Sequence, residues 1–272
     1  MLKRLSLHNK SVIITGASSG LGMILARDLA RQGARMTLAG RDETALSGTR
    51  KMCEYLDVPV QSVSGDITQP ADCQRLIEKA IAFSDQIDAL VLNAGISMWA
   101  RFEEIEEPAL FDEIMRVNYL GAVNLLHYAL PHLKKSRGII TCISSIQGRI
   151  GVPYHTAYVA SKHALQGFFD SLRCELRGSG VHILMVYPSW LAGTQLRTRA
   201  LGPSGNPLAD NSKNHNSHAL PVETCAQKII KAMMKKRTRL TIPAKLSYLP
   251  LANLMLPRVL DYFVSKKVER QL

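Results

Sequence analysis

Residues 11–33 restrict the fold more than any other stretch. Residues 11–15 (Ser-Val-Ile-Ile-Thr) make an apolar run of strand length. Gly16-Ala-Ser-Ser-Gly20-Leu-Gly22 follows, and then a helical pattern with Ile24, Leu25, Leu29 and Ala30 as its inner face, ended by Gly33. A strand passing through a glycine loop into a helix is the setting in which such a loop binds a dinucleotide. Glycines let the backbone approach a pyrophosphate, and the helix start offers free N–H groups and the positive end of its dipole. The spacing is G-x-x-x-G-x-G, not G-x-G-x-x-G, so an ordinary glycine turn is the alternative.

The rest of the chain repeats the alternation. Further strand-like runs fall at 36–39, 60–64, 88–92, 138–143, 182–187 and 239–242, and helical patterns at 70–83, 108–134, 157–177 and 221–236. This order predicts an α/β fold: a single-domain, Rossmann-type, doubly wound parallel sheet with helices on both faces. The domain is expected over 1–245, with a basic, apolar C-terminal extension at 246–272. Apolar residues make up 46% of the 272, enough for a large core and against disorder. The five Cys form an odd set with no C-x-x-C pair, which argues against a disulfide framework or a zinc site and for a reducing compartment. The first ten residues lack an apolar signal core, and no apolar run reaches the ~18 residues of a spanning helix. The expected location is cytoplasmic.

Ligands of open α/β sheets bind at the carboxyl ends of the strands. Gly40-Arg41-Asp42 follows the second strand. An acid there would bond a ribose 2′-hydroxyl, whereas Arg41 offers a planar cation suited to a 2′-phosphate, which favours NADP(H) over NAD(H). Alternatively, Arg41 is a solvated turn residue and Asp42 only caps the next helix. Asp66, in Gly65-Asp66-Ile67, could accept from an adenine amino group or cap a turn. Asn93-Ala94-Gly95 ends the fourth strand. Asn118 falls within the apolar stripe of the helix at 108–134 and needs partners there, either nearby backbone or a relay water.

Tyr158 and Lys162 stand four apart on the helix at 157–177, so phenol and ammonium share a face. A nearby cation favours phenolate, which is expected to lower the Tyr158 pKa and make it an acid–base group. Ser145 follows the strand at 138–143 and could bond the same substrate oxygen. A solvated Tyr–Lys pair is the bland alternative. Residues 193–219 are rich in Gly, Pro, Asn and Ser, and the stretch about 190–220 reads as a mobile flap over the substrate. His215 and His218 have no matching ligands in the sequence, so no metal site is expected. Trp99, Phe102, Tyr154, Trp190 and Leu191 could line an apolar pocket for a lipid-like or steroid-like ketone, or be ordinary core.

Net charge is +12, and residues 228–272 carry eleven Lys/Arg against two acids. The extension is apolar, cut by Pro250 and Pro257, and flanked by cations, so 246–267 suits a membrane surface or a terminal helix packed on the core or on a second subunit. Nucleic acid is not an expected partner, because the charge sits on an aliphatic segment without interleaved aromatics.

The constellation resembles the short-chain dehydrogenase/reductase family. Thr15 to Gly22 looks like its cofactor loop, Asn93-Ala-Gly95 like its strand-four motif, and Asn118, Ser145, Tyr158 and Lys162 like its catalytic tetrad. The match spans roughly 8–240, and the runs around Ser145 and Tyr158 look like the dehydrogenase/reductase member 7 branch, near the 11β-hydroxysteroid dehydrogenases. The resemblance implies hydride transfer between NADP(H) and a carbonyl or secondary alcohol. Tyr158 would pass the proton, Lys162 would lower its pKa, Ser145 would hold the substrate oxygen and Asn118 the relay water. Implied cofactor residues are Gly16, Ser18, Ser19, Gly20, Leu21, Gly22, Arg41, Asp66, Ile67, Asn93, Ala94, Gly95, Tyr158, Lys162 and Pro188. A homodimer or homotetramer is implied as well. Two departures stand out: Ser189 replaces the family's Gly, and Gly193 the family's Thr, with Thr194 following. The rival expectation is a non-catalytic NADP-binding scaffold or sensor of the same fold.

Overall fold

The computed structural model describes residues 6–208 and 219–269. In chain order the elements are β1 Ser11–Thr15, α1 Gly20–Ala30, β2 Arg35–Gly40, α2 Glu43–Glu54, β3 Val60–Ser64, α3 Pro70–Ser84 and β4 Ala89–Leu92. Next come α4 Ala109–Met115, a π-helical turn Arg116–Leu120, α5 Gly121–Ser136, β5 Ile139–Ile143, α6 Thr156–Glu175 and β6 His182–Pro188. The last elements are β7 Leu191–Ala192, β8 Leu220–Pro221, α7 Val222–Met234, β9 Arg239–Ile242, α8 Leu249–Met255 and α9 Pro257–Glu269.

Seven strands form one sheet in the order β3-β2-β1-β4-β5-β6-β9, and every pairing in it is parallel. The chain builds outward from β1 to β3, then crosses back to lay β4 against the other side of β1. The carboxyl ends of β1 and β4 therefore flank the point where the winding reverses, which is where such sheets open a crevice. Successive strand side chains point to opposite faces. Val12 and Ile14 join the core under α1, α2 and α7, whereas Ile13 joins the core under α3, α5 and α6. Both faces are covered, so the central strands are apolar throughout instead of alternating.

The single helix expected at 108–134 is two helices joined by the π turn that contains Asn118. π-helical turns concentrate at functional sites because the extra residue re-aims side chains. Asp42 caps α2, its Oδ1 accepting from Ala45 N at 2.9 Å, as the plainer reading held. The expected flap is partly ordered structure: β7 pairs with β8, and Leu201 bridges Met98 and Pro207. Its remainder, with His215 and His218, lies outside the described residues.

Phe169 on α6 is fully buried between helix and sheet. Phe169→Ala is expected to cost about 3–5 kcal/mol, because the cavity cannot collapse in a packed interior. Chemical denaturation checks this, and a loss below about 1 kcal/mol would mean that α6 is not pinned to the sheet as described.

Candidate active site

The glycine loop is held from both sides. Thr15 Oγ1, at the end of β1, accepts from Asn93 N (3.0 Å) and Ala94 N (3.1 Å). The Asn93 amide returns the tie, donating to Thr15 O (2.9 Å) and Gly16 O (3.2 Å). Asn93 therefore acts on the loop rather than reaching outward. Gly22 sits so close beneath the turn that a Cβ would lie 2.1 Å from Gly16 O, so only glycine allows the loop to fold down onto the helix. Ser19 is the N-cap of α1 yet its side chain makes no capping bond. The first N–H groups of a helix have no intrahelical partners, so this end is open to an anion. A close-packed glycine turn leading to an uncapped helix start fits a dinucleotide pyrophosphate.

Arg41 is exposed at the tip of β2, and its carbonyl accepts from Ser64 Oγ at 3.1 Å. With Asp66, Thr68 and Arg116 it lines a cleft of about 400 Å³. Asp66 Oδ1 accepts from Thr68 N at 2.9 Å, so the turn-capping role is filled and the second carboxylate oxygen is left over. Ile67 packs against the start of α5, where a Cβ on Gly121 would meet its side chain at 2.7 Å. A larger cavity of about 650 Å³, between the end of α6 and the start of β6, is lined by Arg173, Arg177, His182 and Lys236 and by none of the expected site residues.

Ser145, Tyr158, Lys162 and Asn118 come together at the carboxyl ends of β4 and β5, and all four are buried. The Ser145 hydroxyl lies beside the Tyr158 phenol, and Ser145 Oγ accepts from Gln147 N at 3.2 Å. Lys162 Nζ lies 5.5 Å from the Tyr158 ring centroid and donates to Ile143 O at 3.1 Å. The expected lowering of the Tyr158 pKa is not what this geometry produces. Burial pushes the phenol up to about 12, with the Ser145 hydrogen bond pulling the other way. Lys162 faces the ring and a main-chain carbonyl rather than the phenol oxygen, and burial pulls its own pKa down to about 8. Removing both groups from water penalises their charged forms.

The Asn118 side chain finds its partners in nearby main chain and in Ser161. Its Oδ1 accepts from Ile96 N (2.8 Å), and its Nδ2 donates to Ile96 O (2.9 Å) and Ser161 Oγ (2.9 Å). Both amide protons are committed, and the oxygen keeps one lone pair. The amide clamps the chain after Gly95, where a Cβ would lie 3.0 Å from Asn118 Oδ1 and 3.5 Å from Lys162 Nζ.

The expected substrate residues divide. Trp99 stacks on Tyr154 at 5.4 Å and meets the edge of His155 at 5.0 Å, and His155 in turn lies 6.3 Å from Tyr158. These rings form one wall beside the phenol. Phe102 is 70% exposed and packs on Phe111. Leu191 packs on the core under α1 and α7, the plainer alternative, and Trp190 carries Lys267 of α9 over its ring at 5.1 Å. Pro188 ends β6 in register with Ile242.

Two participants had no signal in the sequence, and a third stood there only as the displaced threonine. Arg197 lies 4.6 Å over Trp99 from an irregular loop without periodicity. His155 is buried, with its pKa pulled down to about 4 chiefly by that burial, and is held by Pro153 O at 2.8 Å. Thr194 is the third. Gly193 adopts φ +77, which turns the chain so that a Cβ on Gly20 would lie 3.5 Å from the Thr194 side chain. The threonine offset by one residue thus still reaches the glycine loop.

Because the folded-state pKa of Lys162 is depressed, the charge costs stability wherever the folded lysine is protonated. That cost is full below pH 8 and vanishes as pH rises from about 8 towards the ordinary 10.5. Lys162→Met is therefore expected to stabilise the protein at pH 7 by roughly 1–3 kcal/mol, with the gain shrinking towards pH 10. Thermal melts of both proteins across that range check it, and a gain that grew with pH would contradict the buried-ammonium assignment.

Comparison with known proteins places this geometry. The short chain dehydrogenase family profile matches residues 10–201. An 11-beta-hydroxysteroid dehydrogenase A of Arachis hypogaea is 35% identical over 258 residues, spanning 93% of this chain and 74% of that protein. A dehydrogenase/reductase SDR family protein 7-like of Dictyostelium discoideum is 33% identical, spanning 84% and 72%. The X-ray structure of an alcohol dehydrogenase from Thermococcus sibiricus, complexed with 5-hydroxy-NADP, superposes with a TM-score of 0.71 at 24% identity, covering 85% of this chain and 94% of that one, a likeness of fold. With its motifs, sheet order and relatives in agreement, the chain belongs to the short chain dehydrogenase family, on the branch of the 11-beta-hydroxysteroid dehydrogenase and SDR family protein 7-like members.

Proposed function

We propose that this oxidoreductase uses NADP(H) and reduces a hydrophobic, lipid-like or steroid-like ketone to a secondary alcohol. The observation that carries the reading is the meeting of buried Ser145, Tyr158 and Lys162, with Lys162 Nζ 5.5 Å from the Tyr158 ring centroid, beside the clamped glycine loop. When bound, the nicotinamide supplies the hydride. The protein's part is to hold the carbonyl oxygen against Ser145 and Tyr158. A phenol pushed up to about 12 stays protonated at neutral pH, the form a carbonyl reduction needs at its proton donor. Lys162 keeps an ammonium under the ring to compensate negative charge as the proton leaves, and Asn118 fixes the chain around them.

The NADP preference rests on Arg41, exposed at the β2 tip with no acid at Gly40, and gains support from the NADP derivative in the Thermococcus enzyme. The apolar substrate class rests on the Trp99–Tyr154 wall beside Tyr158. The reading includes a Rossmann domain at 1–245, assembly into a homodimer or homotetramer, and peripheral membrane contact through 246–267.

Tyr158→Phe is expected to lower turnover of an apolar ketone by at least about 10²-fold while NADPH binding is kept. Substantial residual activity would remove Tyr158 from the chemistry, and NADPH binding without turnover in the wild type would favour a scaffold or sensor. Titration with NADPH and NADH should show tighter NADPH binding, with the difference lost in Arg41→Ala. Equal affinities in both proteins would sink the Arg41 assignment.

A further inference from the structure

The cavity of about 650 Å³ at the carboxyl end of α6 belongs to no part of the site described above. It lies between that helix end and the start of β6, on the amino-terminal edge of the sheet, whereas the tetrad stands at the carboxyl edge. β6 runs 7 residues from His182 to Pro188, so roughly 20 Å of strand separates the two edges.

The lining is cationic. Arg173 comes from the last turn of α6, Arg177 from just beyond it, Lys236 from the chain after α7 and His182 from the start of β6, over a floor of Leu176 and Val181. Among the described residues no acid lines the cavity. Arg137 packs at its rim, where a Cβ on Gly180 would lie 2.8 Å from Arg137 Cγ.

Two plainer reasons for these cations fall short. The carboxyl end of a helix carries only about half a negative charge, less than Arg173, Arg177 and Lys236 bring. Asp170 is the near carboxylate, and it is already shared. Its Oδ1 accepts from Arg173 Nη1 (2.5 Å) and Arg239 Nη2 (3.1 Å), and its Oδ2 from Gln166. Arg177 and Lys236 have no carboxylate partner among the described residues. The Arg173 guanidinium is only half used. Nε and Nη2, the neighbouring pair on one edge of its fork, are buried and have no hydrogen-bond partner among the described residues. Unmet buried donors cost stability, so a rotation of this half-buried side chain that turns the edge into the cavity is rewarded by an anion there. His182 feels the same excess of charge: burial lowers its pKa, Arg237 O opposes that, and Lys236 and Arg173 add to the lowering.

We propose that this cavity binds a small organic phosphate, whose oxygens take the Arg173 edge with Arg177 and Lys236 while its organic body lies on Leu176 and Val181. An arginine fork meets phosphate oxygens two at a time, and a phosphate monoester carries close to two charges at neutral pH. The cations gather in one concavity of small-molecule size instead of along a stripe, which suits a compact anion better than a nucleic-acid backbone. The site is independent of the function proposed above.

Pyrophosphate is the probe, titrated calorimetrically into the full chain at fixed ionic strength, with and without saturating NADPH, because the glycine loop also suits a pyrophosphate. One pyrophosphate per chain is expected to bind in the presence of NADPH. Arg173→Met, which keeps the side-chain stem, should weaken that binding about tenfold, the worth of one charge-assisted hydrogen bond. This variant also takes a partner from Asp170, so Arg177→Gln/Lys236→Gln is the second: it should lose at least about tenfold in affinity, with NADPH binding unchanged and melting temperature not lowered. Lys245→Gln, an exposed cation beyond the other edge of the sheet, should change nothing. In proton NMR the His182 resonance, identified by its loss in His182→Gln, should titrate at higher pH in pyrophosphate, since an anion favours the imidazolium. A wild type that binds no pyrophosphate beside NADPH overturns the site. So does binding that the double variant leaves within about twofold, or that Lys245→Gln weakens as much. Binding that NADPH competes away puts the anion at the glycine loop and overturns the cavity assignment. Should the chain bind no NADPH, the cavity stands or falls on the double variant.

Discussion

A buried ammonium is the constraint around which this site is arranged. Lys162 is almost wholly out of water and donates to a main-chain carbonyl at the end of β5, with no carboxylate as its partner there. Placing a cation in such surroundings costs stability, and the cost is visible as a pKa drawn down to about 8. It persists because everything nearby is pinned. Asn118 clamps the chain after Gly95, and the close contact at Gly148, where a Cβ would lie 2.8 Å from Lys162 O, fixes the backbone of α6 against the turn after β5. Stability is given up at this buried cation.

The same logic runs across the carboxyl edge of the sheet. Parallel strands bring the ends of β1, β4 and β5 side by side, and the reversal of winding between β1 and β4 leaves an opening there. Thr15 and Asn93 use their side chains on each other's backbone, so the loop is preorganised before any ligand arrives. Asn118 works in the same way. The Asn93 and Asn118 side chains hold the main chain around the site.

The outer parts of the molecule follow different rules. The Trp99–Tyr154–His155 wall and the Arg197 cation above it are assembled from three separate loops, and α8–α9 lie in a terminal extension. These regions depend on side-chain packing rather than on strand pairing.

By itself the sequence determined the sheet class, most strand limits, the glycine loop and the identity of the Ser145, Tyr158 and Lys162 group. These rest on local periodicity, glycine spacing and i,i+4 geometry, which short stretches encode completely. Tertiary structure alone decided the rest. The direction of the Tyr158 shift depends on burial against an ammonium that faces a different oxygen, which spacing cannot reveal. The duties of Asn93 and Asn118 are bonds to residues 77–78 and 22 positions away in sequence, the separation of Phe102 and Leu191 from the aromatic wall is a matter of packing, and the approach of Thr194 to Gly20 depends on the left-handed turn at Gly193. Contacts between distant segments carry no local signature, because the free energy that selects them is gained only when the whole sheet has closed.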